Sequence, residues 1–265
     1  MNFELRKDTK IYIAGHKGLI GSAFIRYFIE NGYNNLLIQE RSNLDLISKE
    51  ETVNFFKINR PEVVILAAGK VGGIIQNRDY PADFIFENLA IQLNVLDSAY
   101  KFGTKRLIFF GSSCMYPRDT SQPMKENQLY TGHPESSSIA YASSKLAGLQ
   151  MCQAINAQTD LVSFISVIPN SVYGINDNFD LESSHVLSAL IRRIHEAKIN
   201  NKNSVTLWGT GAPKREFVFV DDLVKACLHI LKSNISKEKL PINIGVGSDI
   251  SIKSLASLVS FIIGY

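Results

Sequence analysis

The sequence predicts an α/β protein built on a doubly wound parallel sheet, with a smaller C-terminal lobe. Short apolar runs alternate with segments of helical periodicity through the first 172 residues, which is the pattern of successive strand and helix units. The run at 63–67 is apolar throughout, as expected of a parallel strand covered on both faces. A glycine-rich turn joins the first strand to the first helix, as in many sheets of this kind.

These observations divide the chain into two parts. We assign residues 1–172 to the sheet domain and residues 173–265 to the C-terminal lobe. The runs at 216–220 and 241–245 are again apolar and β-branched, so the chain is expected to return to the sheet within them. No low-complexity linker separates the two parts, and the boundary is therefore a soft one.

Composition and charge narrow the class of protein. A length of 265 residues, 45% of them hydrophobic, is ordinary for a globular protein. The net charge of +3 is small and the basic residues are scattered, so nucleic acid is not indicated as a partner. Three cysteines cannot all pair, and none has the spacing of a zinc site. With no signal peptide and no long apolar run, we expect a cytoplasmic protein without a metal or a membrane span.

The first strand–helix unit carries the glycine-rich turn. A strand at 10–14 is followed at once by Gly15, Gly18 and Gly21 and then by a helical segment to residue 29. Glycines let the backbone approach a pyrophosphate, which then lies on the free N–H groups at the start of the helix. The spacing is GxxGxxG, which differs from the common GxGxxG pattern. The turn therefore predicts a dinucleotide site, in which Ala67 and Ala68 at the end of the 63–67 strand also contact the cofactor.

The end of the second strand, 36–39, bears on the choice of dinucleotide. An acidic residue at this point binds the adenosine ribose of NAD, and Glu40 meets that description. Arg41, with Ser42 and Lys17, favours the 2′-phosphate of NADP, because arginine binds phosphate in a bidentate manner. We favour NADP, while NAD and a plain solvated loop stay open at this point.

The remaining elements follow in chain order. A polar segment at 118–138 is predicted to be a loop long enough to cover a substrate, and Val71–Ile74 is predicted to be a shorter loop. A helix after residue 220 is expected to be capped by Asp221 or Asp222. The other predicted helices cover 48–59, 81–102, 140–157, 185–198 and a segment from Ile252, and the other predicted strands cover 106–110 and 161–168.

Tyr141, Lys145 and Ser112 form a candidate catalytic group. A tyrosine and a lysine four residues apart lie on one face of a helix. An ammonium beside a phenol is expected to lower the pKa of the phenol from about 10, as a proton donor to a carbonyl oxygen requires. The strand at 106–110 delivers Ser112 to the carboxyl edge of the sheet, where sites of such folds lie.

Several long strings of the sequence resemble the extended short-chain dehydrogenase/reductase family. They run nearly from end to end of the chain, and their order makes them more specific than any one motif. The likeness is to the branch that uses NADPH to epimerise C3 and C5 and to reduce C4 of GDP-4-keto-6-deoxy-D-mannose. The strings are IAGHKGLIGSA, LAAGKVGGI, YPADFI, GSSCMYP, DNFDLESSHVLSALIRRIHEAK and WGTGAPKREFVFVDD.

The resemblance implies roles for particular residues. Ser112, Tyr141 and Lys145 match the reductase triad, and Cys114 and His185 match the pair that epimerises the sugar. A thiol and an imidazole are chemically suited to this task, because both exchange protons near neutral pH. The residues implied to contact NADP(H) are Gly15, Gly18, Gly21, Lys17, Arg41, Ala67, Ala68 and Lys145, and those implied to hold the GDP-sugar are Asn178, Arg193, Trp208 and Arg215.

Two departures from the family pattern keep alternatives open. The family's Pro-Thr-Asn-x-Tyr-Gly reads Pro-Asn-Ser-Val-Tyr-Gly at 169–174, so the usual asparagine is either displaced or replaced by Ser171. The chain also ends at Tyr265, inside a predicted helix, where family members continue, and the substrate lobe is expected to be incomplete. A related enzyme acting on another GDP-4-keto-deoxy sugar, and an inactive nucleotide-binding homologue, are the alternatives.

The resemblance further implies a homodimer. In this family the helices around Asn88 and Tyr141 pair across a two-fold axis into a four-helix interface. The two segments carry more apolar positions than one core-facing stripe requires. The positions expected to supply the surplus are Phe84, Leu89, Leu93, Leu96, Leu146, Leu149 and Met151.

Overall fold

The computed structural model describes residues 3–181, 183–233 and 241–265. Among them, α1 to α8 are Leu19–Glu30, Lys49–Asn59, Ile74–Asp79, Pro81–Lys101, Ile139–Gln158, Val186–Ile199, Val220–Lys232 and Ile252–Ile263. The strands β1 to β10 are Ile11–Ala14, Leu36–Leu37, Val63–Leu66, Arg106–Phe110, Ser163–Pro169, Ser171–Tyr173, Lys214–Arg215, Phe217–Phe219, Ile242–Ile244 and Ile250–Ser251.

A parallel sheet organises the described residues and confirms the predicted fold class. Its strand order is β2-β1-β3-β4-β5-β9, so the chain winds outward in both directions from β1 and β3. Alternate residues of β1 face opposite layers. Ile11 and Ile13 pack against α1 and α7, whereas Tyr12 and Ala14 pack against α2, α4 and α5. This double covering explains why the central strands are buried apolar runs.

The prediction that residues 216–220 rejoin this sheet is wrong. Residues Phe217–Phe219 form β8, which pairs in parallel with β6 as a separate two-stranded sheet. The return is made by β9, which pairs with the end of β5. A short apolar run satisfies either neighbour, because β-propensity reports a half-buried surface and not a particular partner.

The start of α7 also differs from the prediction. Neither aspartate is the cap, because the helix begins at Val220 with Phe219 before it, and Asp221 and Asp222 lie in the first turn. There their negative charges interact favourably with the positive end of the helix dipole. Asp221 also accepts a hydrogen bond of 2.8 Å from Arg26 of α1, which joins the two helices of one layer.

The segments between the strands contain features that periodicity did not predict. The short helix α3 begins at Ile74, directly after Gly73, where a loop was expected.

The polar segment 118–138 is fastened to the sheet by Asn243 of β9. Its side-chain oxygen accepts from the Tyr116 hydroxyl at 2.7 Å, its amide donates to the Met124 carbonyl, and its backbone N–H donates to Glu126 at 2.7 Å.

The C-terminal lobe has its own small core between α6 and α8, built on Leu190, Ile194 and Leu255. The antiparallel ribbon of β7 and β10 lies beside it. None of the helices in the described part of the chain combines the length and hydropathy of a membrane span.

Part of the expected dimer surface lies inside the chain. Phe84, Leu96 and Leu149 are at most 1% exposed and belong to the core, so they are wrong as interface positions. Leu93, which was among the expected positions, is 56% exposed, and Phe86, which was not, is 71% exposed on the same helix. The outward stripe of α4 therefore keeps only part of the expected set, because α4 packs against both α2 and α5.

Candidate active site

The glycine turn brings three backbone segments into close contact at the carboxyl end of β1. A methyl group built on Gly15 would lie 2.8 Å from the Ala67 carbonyl oxygen and 2.7 Å from the Ala68 nitrogen, and φ of Gly15 is +81°. A methyl group built on Gly21 would lie 2.2 Å from the Gly15 carbonyl oxygen. Only glycine fits either position without displacing backbone.

This turn leaves the start of α1 open to a ligand. Gly18 precedes the helix in extended conformation and, as a glycine, has no side chain to cap the first turn. The N–H groups there and the positive end of the helix dipole suit an anion. The turn therefore fits the pyrophosphate of a dinucleotide, as its spacing predicted.

At the end of β2, Glu40 gathers two basic side chains. Lys17 Nζ lies 2.7 Å from Glu40 Oε2, and His16 Nε2 lies 3.4 Å from Glu40 Oε1. The hydrogen bond from Lys17 lowers the pKa of the Glu40 carboxyl. Arg41 is 71% exposed and lies 3.8 Å from Asp45. The structure thus brings Lys17 to Glu40, a contact that the sequence did not predict, and leaves Arg41 accessible.

Ser112, Tyr141 and Cys114 meet at the carboxyl edge of β4. The Ser112 hydroxyl hydrogen-bonds the Tyr141 hydroxyl, and Ser112 Oγ accepts from the Cys114 backbone N–H at 3.3 Å. The Tyr141 ring also packs edge-on against Phe84, with centroids 6.2 Å apart. The phenol is therefore contacted by Ser112 from the end of β4 and by Phe84 from α4.

The expected lowering of the Tyr141 pKa is wrong for this arrangement. Burial raises the pKa of the Tyr141 phenol, the nearby Cys114 sulfur adds to the increase, and the hydrogen bond from Ser112 opposes it. The Lys145 ammonium lies 5.8 Å from the centre of the Tyr141 ring, and desolvation outweighs its attraction. The phenol is consequently held in its protonated form.

Lys145 is itself buried, with 5% of its surface exposed. Its ammonium lies 5.2 Å from the Phe109 ring centre. Burial lowers the pKa of Lys145 to about 8. Within the described residues no side chain or carbonyl bonds this ammonium, so it is available to a cofactor hydroxyl.

Cys114 and His185 are placed differently. Cys114 is exposed in the short 3-10 turn Ser113–Met115, beside Tyr141. His185 is exposed immediately before α6. Its segment is tied to the loop after β3, because the Gly73 N–H donates to the Ser183 carbonyl at 3.1 Å. Among the described contacts, none joins His185 to Cys114.

The four candidate sugar-binding residues lie in the C-terminal lobe and the segment leading to it. The Arg193 guanidinium stacks on the Trp208 ring at 4.6 Å. Asn178 donates to Ser183 Oγ at 2.8 Å, in the same segment as His185. Arg215 is exposed on β7 and donates to the Lys214 carbonyl at 2.7 Å. The structure thus pairs Arg193 with Trp208 and records no contact of that pair with Arg215 among the described residues.

Two polar clamps near the site escaped prediction. The Asn88 side chain accepts from the Lys70 N–H and donates to the Lys70 carbonyl, both at 3.0 Å. Glu216 accepts from the Asn170 amide and from the backbone N–H of Gly247 at 2.6 Å. Each clamp joins positions that lie 18 or more residues apart, and no short-range pattern signals them. Only the second clamp had a sign in the sequence. Asn170 stands where the family pattern has threonine, and its amide can donate to Glu216.

No cluster of metal-ligating side chains occurs in the described ranges.

Comparison with known proteins identifies relatives along the whole chain. A model of the NAD dependent epimerase/dehydratase family matches residues 11–245. The putative GDP-L-fucose synthase 2 of Arabidopsis thaliana is 48% identical over 264 residues, which cover 100% of this chain and 80% of the relative. The GDP-L-fucose synthase of Escherichia coli is 39% identical over 97% of this chain and 82% of its own length.

A solved structure is similar to the same extent. The GDP-mannoheptose C4 reductase from Campylobacter jejuni, with NADP bound, is 35% identical and superimposes with a TM-score of 0.90. The likeness covers 99% of this chain and 87% of that one.

Proposed function

Because the chain belongs to the NAD dependent epimerase/dehydratase family, we propose that it converts GDP-4-keto-6-deoxy-D-mannose to GDP-L-fucose with NADPH. The enzyme epimerises C3 and C5 and reduces C4. The observation that carries this proposal is the identity of 48% and 39%, over nearly the whole chain, with proteins named as GDP-L-fucose synthases. The meeting of Ser112, Tyr141 and Cys114 at one edge of the sheet supports it.

The glycine turn holds the cofactor in this proposal. Gly15, Gly18 and Gly21 receive the pyrophosphate, and Ala67 and Ala68 border it. Lys17, in the turn after β1, and Arg41, beyond the end of β2, receive the 2′-phosphate, since both side chains are exposed. The buried Lys145 ammonium binds ribose hydroxyls. NADPH, when bound, supplies the hydride for C4.

Tyr141 is the proton donor of the reduction. The phenol carries its proton at neutral pH, as an ordinary tyrosine does, so a proton is available to the oxygen that becomes negative at C4. Burial raises the pKa of Tyr141 and so weakens it as a donor, and the charge of the Lys145 ammonium acts against this effect. Ser112 donates a second hydrogen bond to the same oxygen, as its contact with the phenol suggests. Lys145 stabilises the phenolate that remains after the proton has left.

Cys114 and His185 move the protons at carbon. The C4 ketone makes the protons on C3 and C5 acidic, and inversion needs a base on one face and an acid on the other. Cys114 is exposed beside Tyr141, so its sulfur can reach the carbons next to C4. His185, exposed before α6, is the partner that returns the proton.

The GDP-sugar is held from the C-terminal lobe. Arg193 and Trp208 form a stacked pair that suits a base or sugar face together with a phosphate. Arg215 is exposed and suits the diphosphate, and Asn178 lies in the same segment as His185. In this division residues 1–172 bind the cofactor and residues 173–265 bind the sugar nucleotide. One strand of the second part, β9, belongs to the sheet of the first.

A second candidate function is C4 reduction of a different GDP-4-keto sugar without epimerisation. It is favoured by the likeness, at 35% identity and a TM-score of 0.90, to a GDP-mannoheptose C4 reductase. The departure from the usual asparagine at 169–174 is a further reason to test it.

One experiment separates these functions. The purified protein is incubated with GDP-4-keto-6-deoxy-D-mannose and NADPH in deuterated water, and the product is identified by NMR. GDP-L-fucose with deuterium at C3 and C5 supports the first function. A product reduced at C4 with both protons retained supports the second. Absence of NADPH oxidation with this substrate and with GDP-4-keto-heptoses refutes both.

We also propose a homodimer in a reducing cytoplasm. The exposed side chains Phe86 and Leu93 lie seven residues apart on α4, which places them on one helix face. Such a stripe suits an isologous contact with a second copy. All three cysteines are free in the structure, which agrees with a reducing compartment.

A further inference from the structure

Gln92 on α4 is an unusual buried residue. Its side chain is 1% exposed, and neither its carboxamide oxygen nor its nitrogen has a hydrogen-bond partner among the described residues. Buried polar atoms are almost always bonded to protein or to internal water. A carboxamide with both ends unpaired is therefore expected to hold water, because leaving it dry is costly.

The position of this carboxamide relates it to the catalytic lysine. A methyl group built on Gly148 would lie 2.5 Å from Gln92 Oε1 and 2.4 Å from Phe109 Cζ. The same Phe109 ring lies 5.2 Å from Lys145 Nζ. Gly148 is three residues after Lys145 on α5, so both lie on one helix face. Gln92 and Phe109 thus both border Gly148, and the Lys145 ammonium lies at the same Phe109 ring.

A second path leads to the same place. A methyl group built on Gly69 would lie 2.8 Å from Asn88 Oδ1 and 3.8 Å from Lys145 Nζ. Asn88 is one turn before Gln92 on α4; both hydrogens of its amide are engaged by the Lys70 and Phe84 carbonyls, and its oxygen accepts from the Lys70 N–H. Gln92 is therefore the neighbouring amide whose oxygen and nitrogen both lack a partner among the described residues.

We propose that the Gln92 carboxamide holds a buried water against the Lys145 ammonium, and that Gln92 is a positioning residue for Lys145. The role in catalysis rests on the proposed function, in which Lys145 stabilises the Tyr141 phenolate. The water would give the ammonium a polar partner on the side where the Phe109 ring lies.

The charged and titratable groups around Lys145 are few. Tyr141 lies on its own helix, and Cys114 reaches Tyr141 from the turn after β4. From the loop after β3, the Lys70 ammonium is bonded to Asp83 and Glu87 of α4. No carboxylate is recorded in contact with the Lys145 ammonium among the described residues. Loss of one polar partner should therefore change its protonation measurably.

The test measures the protonation of Lys145 directly in the cofactor-free protein. The lysine Cε signals are followed by NMR against pH, and the Lys145 signal is assigned as the one missing from Lys145→Arg. Gln92→Met keeps the length of the side chain and removes both polar atoms. We expect the midpoint of Lys145 to fall by about one pH unit, a tenfold change in its proton affinity. Gln92→Glu should raise it by at least about one unit.

Ser98→Ala is the matched control. Ser98 lies on the same helix, is fully buried and has an unpaired hydroxyl, but it is about 9 Å further along the axis at about 1.5 Å per residue. Its loss should leave the Lys145 midpoint unchanged. The proposal is overturned if Gln92→Met titrates with the parent, or if Ser98→Ala shifts the midpoint equally. Since no substrate is used, failure of the proposed function does not affect this result.

Discussion

Replacing Gly21 by alanine tests both the geometry of the glycine turn and its role. The added methyl group would lie 2.2 Å from the Gly15 carbonyl oxygen, 2.8 Å from the Gly15 carbonyl carbon and 2.9 Å from His16 Cα. All three are backbone atoms, so no side chain can rotate away. Gly15 has no room to move away from this methyl group, because its other side packs closely on Ala67 and Ala68. A methyl group built on Gly15 itself would lie less than 3 Å from backbone atoms of both residues. The turn must therefore shift by about 1 Å, and overpacking of this kind costs about 1–3 kcal/mol.

We expect Gly21→Ala to lower the free energy of unfolding in urea by about 2 kcal/mol. Because the displaced atoms form the proposed pyrophosphate cradle, the Kd for NADPH should also rise at least about tenfold, or about 1.4 kcal/mol. Gly18→Ala is the stability control. Its added methyl group would meet its nearest atom at 3.5 Å, an ordinary contact, and its unfolding free energy should change by less than about 0.5 kcal/mol.

Urea unfolding followed by circular dichroism and calorimetric titration with NADPH give the two quantities separately. If the Gly21→Ala protein is as stable as the parent, the turn accommodates the added methyl group. The close packing of Gly21 on the Gly15 backbone is then refuted. A destabilised protein that binds NADPH as well as the parent would remove the turn from the cofactor site.

Four further outcomes are expected. Cys114→Ser should abolish deuterium exchange at C3 and C5 while slow hydride transfer continues, because a serine hydroxyl is a far weaker acid than a thiol; exchange at the parent rate would exclude the thiol as the base. Tyr141→Phe should lower NADPH consumption about 10²-fold or more and spare the exchange, and mass spectrometry beside NADPH absorbance reads both steps. Arg41→Ala should weaken NADPH more than NADH in calorimetric titration, and a parent that prefers NADH would contradict the cofactor assignment. Leu93→Arg should convert a dimer to a monomer in light scattering at micromolar concentration, and a parent that is monomeric there would refute the dimer.

The sheet was predictable because its signals are local. The strand at 106–110 was predicted at its exact bounds, and α2 begins after its Ser48 cap as the sequence indicated. The pairing of β8 was not predictable, since Phe217–Phe219 has the same apolar pattern whichever strand lies beside it. The prediction of the α7 cap was wrong for a related reason. Asp221 bonds Arg26, 195 positions away, and no pattern in the neighbouring residues indicates so distant a partner.

The candidate site shows the same division. Tyr141 and Lys145 are four residues apart, so helical geometry alone placed them together. The direction of the Tyr141 pKa shift depends on how deeply the phenol is buried, which only the packed structure reveals. The contact between Lys17 and Glu40 joins the turn after β1 to the segment after β2. It could not be predicted without knowing that β1 and β2 are neighbours in the sheet.

The three bonds of Asn243 set the order in which the site is completed during synthesis. They join it to Tyr116, Met124 and Glu126, which precede it by 117 to 127 positions. Tyr141 leaves the ribosome about 100 residues before Asn243, an interval of about 5–20 s at about 5–20 residues per second. During that time the first five strands can pair, while the segment 118–138 is not yet held by β9. The nascent chain therefore passes through a stage in which Ser112 and Tyr141 can meet before this segment is fastened.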